Sequence, residues 1–204
     1  MLFHSYTKDG FTLVELIVVV GIISIISAIV FQSGNKFNDT VAIQSVAEDV
    51  ALAAREAQAY GVSVKDSTGT GSFTLAYGID FDLSHTNYVT VFVDSNSDGI
   101  YEDGSVTNCN DGTNECIEKV VLRDGVTISS ICGINTAGAT ICSRSYQAVQ
   151  TTFLRPSLNA SIVFTNINGI VQPGSWQAAR IILKSVGGVN KTILIGSTGL
   201  ISIQ

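Results

Sequence analysis

Residues 9–31 read Asp9-Gly10-Phe11-Thr12-Leu13-Val14-Glu15-Leu16 and continue as a nearly unbroken apolar run to Phe31. Glu15 is the only charge between Leu13 and Phe31. As a helix rising 1.5 Å per residue, that run is about 28 Å long, close to the hydrocarbon thickness of a bilayer. A helix can span lipid because its backbone groups satisfy one another. The stretch therefore predicts a membrane helix over residues 13–31. A carboxylate inside it costs roughly 2.5–3.5 kcal/mol at the helix centre and calls for a partner of opposite sign. No Lys or Arg lies within a turn or two downstream. Cleavage after Gly10 would create one, the α-amino group of Phe11, on the same chain or on a neighbour.

Gly10-Phe11-Thr12-Leu13-Val14-Glu15 resembles the class III signal of type IV prepilins and type II secretion pseudopilins. The resemblance implies cleavage between Gly10 and Phe11 by a membrane-embedded prepilin peptidase, and N-methylation of Phe11. It also implies that Thr12 and Glu15 serve assembly, Glu15 docking on the amino terminus of an adjacent subunit. Assembly-platform membrane proteins and other pilin or pseudopilin subunits are the implied partners. Residues 1–10 lack the separate apolar region of a secretory signal peptide and read as a cytoplasmic leader. The expected location is the cytoplasmic membrane, single-pass, with the remainder outside and then in a filament.

After the apolar run, Gln32-Ser33-Gly34-Asn35 interrupts the pattern with poor helix formers. Helical spacing resumes with Ile43, Val46, Ala47, Val50, Ala53, Ala54 and Ala57, a stripe whose alanines let a sheet approach closely. Gly61 is the expected left-handed cap. One helix over 11–60, half in lipid and half under a head, is the expected layout. The segment Ala54–Gly61 followed by Val62-Ser63-Val64 looks like the helix-to-strand junction of GspH/FimT-like minor pilins. Tyr77–Phe81 and Val91–Asp94 fit that family as well. Arg55 reads as a solvated helix residue with its stem on apolar surface.

The head, residues 61–204, reads as β-rich. Expected strands are 72–79, 88–93, 119–122, 126–130, 148–153, 160–164, 178–184, 192–196 and 200–203, separated by Gly, Asn, Asp and Ser turns. The fold class is α+β: a long N-terminal helix packed on an antiparallel sheet or a β-sandwich. Trp176 reads as a partly buried anchor at a strand start.

Two groups in the head carry chemistry. Asp94, Asn96 and Asp98 alternate before Gly99, with the Ile100 carbonyl and Glu102 next, matching the first half of a calcium loop. Ser105 stands where the bidentate glutamate belongs, and Asp, Asn, Ser and Gly also make turns without metal. Calcium and a plain turn both remain open. Cys109, Cys116, Cys132 and Cys142 form an even set, which in an exported domain favours disulfides. Three pairings exist; the local ones, 109–116 and 132–142, close short loops. The spacings lack the Cys-x₂-Cys clip of a zinc site.

Composition narrows the function classes. The formal net charge is −6, against general nucleic-acid binding. Some FimT-like proteins take up DNA through C-terminal arginines, but here Gly199 is followed by Leu200, and Arg180 is the last arginine. His85 is the only histidine after Gly10, in a polar connection, and no nucleophile motif accompanies it. No catalytic residue is assigned, and no cofactor besides calcium is suggested. The expected function is a structural minor pilin or pseudopilin subunit. The alternative is a membrane-anchored extracellular binding protein that never polymerises, its β domain stabilised by calcium.

Overall fold

The computed structural model describes residues 10–63, 74–102, 109 and 114–204, with only the backbone over 31–36. The leader before Gly10, Val64, Ser72, Phe73, Ser105 and the side chains of Gln32–Asn35 lie outside the described residues. The chain divides into two units, Met1–Asn38 and Asp39–Gln204.

Helix α1 covers Leu13–Val62, and its backbone stays helical through 31–36. Within the second unit, the predicted stripe is the buried face. Ile43, Val46, Ala47, Val50, Ala53, Ala54 and Ala57 are all at most 4% exposed, joined by Ala51. Gly61 corrects an expectation. It remains helical and is absent from the left-handed glycines; a Cβ there would lie 2.3 Å from the Phe153 carbonyl oxygen. Its role is close approach between helix and sheet, and Arg155 N–H donates back to the Gly61 carbonyl at 3.2 Å.

Among the described residues ten strands follow in order: β1 Ala76–Asp82, β2 Tyr88–Asp94, β3 Cys116–Val121, β4 Thr127–Asn135, β5 Thr140–Ile141, β6 Ala148–Phe153, β7 Ala160–Thr165, β8 Trp176–Lys184, β9 Asn190–Gly196 and β10 Ile201–Ile203. They form two five-stranded sheets, ordered β3-β2-β1-β6-β7 and β10-β9-β8-β4-β5. Every ladder is antiparallel. The architecture is thus α+β with a two-sheet head. Each predicted strand corresponds to an observed one, and β5 is the addition. Two residues long, β5 carries no periodic signal and exists because it pairs with Gly133 and Ile134.

The core is the meeting of three faces: the helix stripe, Ile79, Phe81, Val91, Val149 and Phe164 from the first sheet, and Ile131, Ile181, Leu183, Ile193 and Ile195 from the second. Strand alternation explains the selection, since inward Ile79 and Phe81 alternate with Gly78, Asp80 and Asp82 along β1. Side-chain polar ties also hold the helix to the head. Gln58 Nε2 donates to the carbonyls of Leu158 and Gly199, at 3.3 and 3.0 Å. Arg123 pairs with Asp49. Trp176 lies half-buried at the start of β8, over Gly133, with Phe164 at 4.8 Å and Tyr146 at 5.8 Å between ring centroids. Phe164 is on β7, so this aromatic group links the two sheets.

A smaller cluster of Phe92, Tyr101 and Cys116, with Cys109 packed against it, is separate from the main core. Gly78 makes room for it, because a Cβ there would stand 2.7 Å from the Phe92 ring.

Candidate functional site

In the N-terminal unit Gly10 and Phe11 are exposed, the latter 79% accessible, and Thr12 separates them from α1. Nothing lies within 4 Å of where a Gly10 Cβ would be. Thr12 has a local role that the sequence pattern could have revealed as Thr-x-x-Glu. Its Oγ1 accepts the Glu15 N–H at 3.2 Å, and its carbonyl accepts the Leu16 N–H at 3.2 Å. Thr12 is thus an N-cap, satisfying one of the orphan donors of the first turn, with Glu15 at the third helical position. The carboxylate also sits at the helix's positive end.

Leu13–Val30 is long and apolar enough to cross a membrane. Its side chains are exposed all round, Leu13 at 74%, Ile25 at 65% and Val30 at 64%. A helix that is hydrophobic on every side requires an apolar surrounding. Among the described residues no cation pairs with Glu15, which is itself exposed. The run thus combines an uncovered apolar surface with one carboxylate near its N-terminal end.

In the head, the Asp94 loop closes through its own hydrogen bonds. Asp94 Oδ1 accepts the Asp98 N–H at 3.1 Å and Oδ2 the Gly99 N–H at 3.0 Å. Asn96 Oδ1 accepts the Asp98 N–H at 3.1 Å, and Asp98 Oδ1 accepts the Ile100 N–H at 2.8 Å. Gly99, at φ 76°, takes the left-handed conformation the curl requires. Glu102 contributes its N–H to Glu115 Oε2 at 3.2 Å. Glu115, 6% exposed, was not anticipated; its Oε1 also accepts both Ser95 N–H and Ser95 Oγ–H, at 2.9 and 2.8 Å. It lies 20 residues from Ser95, so no local spacing points to it. Among the described residues, no three His, Cys, Asp or Glu side chains are grouped to hold a metal ion.

Burial raises the Asp94 carboxyl above its ordinary 3.8; the Gly99 amide pulls it down, and nearby Glu115 and Asp98 push it up. Because the folded value exceeds the unfolded one, ionisation of Asp94 lowers stability as pH rises from 3.8 through the folded value. NMR titration should therefore find Asp94 above 3.8. The same titration repeated in millimolar calcium tests the loop for an ion, since each Asp94 oxygen keeps a lone pair beyond its amide contact. A calcium-induced fall would assign an ion to the loop.

Both disulfides are local: Cys109–Cys116, and Cys132–Cys142 with a Cα–Cα distance of 4.2 Å. The first anchors the segment carrying Glu115; the second closes the β4–β5 hairpin. Arg55 is exposed on the helix. His85 is half-exposed, stacked on Tyr88 at 5.3 Å, with its Nδ1 3.3 Å from Asp82 Oδ2. Neither arrangement supplies a nucleophile beside a base.

Residues 7–31 match the family model described as the prokaryotic N-terminal methylation motif. This motif is characteristic of type IV prepilin-like proteins, so the chain carries the N-terminus of a pilin-like precursor, the class processed by prepilin peptidase. The motif and the apolar helix support a membrane-anchored, single-pass protein. No curated protein and no solved structure matches the chain.

Proposed function

We propose that this protein is a structural minor subunit of a type IV pilus or type II secretion pseudopilus, of the GspH/FimT-like kind. The observation that carries the reading is an uncovered apolar helix whose one carboxylate, Glu15, lacks a cation in its own described chain. Prepilin peptidase cuts between Gly10 and Phe11, Phe11 is methylated, and its new amine on one subunit meets Glu15 on another. In apolar surroundings a pair of charges is tolerated where a lone one is not. Thr12 sets the helix start that fixes the spacing between the amine and Glu15.

On this reading residues 1–10 are the leader, 11–60 the helix and 61–204 the head. The head lies outside the cytoplasmic membrane, where two disulfides persist. Other pilin or pseudopilin subunits and the assembly platform are its partners. Mass spectrometry of the protein isolated from its host tests the proposal. The expected N-terminus is methylated Phe11; an exported form still starting at Met1 would falsify it.

A further inference from the structure

On the face of the first sheet opposite the main core, an open cavity of about 170 Å³ lies between β1, β2 and β6 and the turn after β7. Asp80 and Gln150 are direct partners across the β1–β6 ladder, 6% and 3% exposed. Gln150 Nε2 donates to Asp80 Oδ1 at 2.8 Å. That contact fixes the amide's orientation, because a carboxylate only accepts and must face the NH₂ group. Gln150 Oε1 is then left as an acceptor, and it is buried with no described donor. Such an orphan costs roughly 1–3 kcal/mol and asks for a donor from outside the chain.

Asp82, two residues on, shares the strand face. Its carboxylate is held in place by the Ser84 N–H at 2.7 Å and Gln147 Nε2 at 3.1 Å, with His85 Nδ1 at 3.3 Å. Tyr88 and Tyr101 supply aromatic walls, and none of the described lining residues is Lys or Arg. The Tyr88 ring already attracts an ammonium, since Lys119 Nζ sits 4.8 Å from its centroid. The site therefore offers two carboxylates and a buried amide oxygen for which the described residues supply no donor. The room equals that of roughly five waters, enough for a small organic head group.

The geometry points to a seat for a compact organic cation with N–H donors, a primary ammonium or guanidinium such as the tip of a Lys or Arg side chain. An anion meets the two carboxylates. Among the described residues no group of three His, Cys, Asp or Glu side chains is placed to hold a metal ion there. An uncharged sugar gains nothing from the negative lining. This inference is independent of the filament reading, as it rests only on the head.

Calorimetry and imidazole NMR of His85, on the full chain in detergent micelles, test it with methylguanidinium and butylammonium chloride. Glucose and sodium chloride at matched ionic strength are the controls. The organic cations should saturate and shift the His85 ring, while the controls do neither. Gln150→Met and, at the rim, Asp82→Asn should each weaken binding about tenfold, the loss of one charge-assisted contact. Circular dichroism confirms that each variant is folded before it is titrated. Saturation by glucose alone, no saturation by either organic cation, or unchanged affinity in both folded variants overturns the assignment.

Discussion

Glu15→Ala is expected to lower incorporation into filaments by roughly 10²- to 4 × 10³-fold while leaving the protein present in the membrane. The variant removes a charge from an apolar helix, so insertion of the single subunit should improve if anything. Assembly suffers instead. On the proposed reading the Phe11 amine of a neighbour then enters the filament core unpaired, and breaking a buried pair from one side costs roughly 3–5 kcal/mol. Each 1.4 kcal/mol is a factor of about ten, which gives the stated loss. Thr12 Oγ1 caps the Glu15 backbone N–H, not its carboxylate, so the helix start survives the substitution. Sheared filament fractions, quantified against the membrane fraction by immunoblot, provide the measurement. Equal amounts of variant and parent in filaments would sink the assembly role and favour a membrane-anchored protein that does not polymerise.

The second large effect belongs to the head. Phe164→Ala should destabilise it by about 3–5 kcal/mol, the range for deleting a fully buried aromatic side chain. Phe164 is 0% exposed and contacts Tyr146 at 4.7 Å and Trp176 at 4.8 Å between centroids. Its removal leaves a cavity where the two sheets meet, which the surrounding β ladders cannot close by collapsing. For a unit of this size each kcal/mol moves the midpoint about 2–4 °C, so a fall of roughly 6–20 °C is expected in thermal unfolding followed by near-ultraviolet circular dichroism. Phe164→Leu should lose much less. Trp176→Ala combined with Phe164→Ala should cost less than the two singly, because both lose the same ring contact. Full additivity would show that the rings act separately.

Elements whose cause is local and periodic could be read from the residue order alone. The apolar run from Leu13 needs only its own composition to predict a spanning helix. The Ile43–Ala57 stripe needs only the 3.6-residue repeat, and β-rich runs between turn-forming residues located nine strands. The Gly10–Glu15 motif was equally legible, since its residues are consecutive.

Tertiary structure decided whatever depends on residues far apart in the chain. Gly61 looked like a cap, yet the Phe153 carbonyl approaching from the sheet gives it another purpose. Glu115 reaches the Asp94 loop because β3 pairs with β2, a register no short-range pattern encodes. Strand β5 exists only as the partner of β4. The Asp80–Gln150 pair, 70 residues apart, meets because β6 lies beside β1, so its unsatisfied oxygen was invisible in the sequence. The physical divide is one of range: propensity and period act over a few residues, while pairing and close approach are settled when distant segments bury one another.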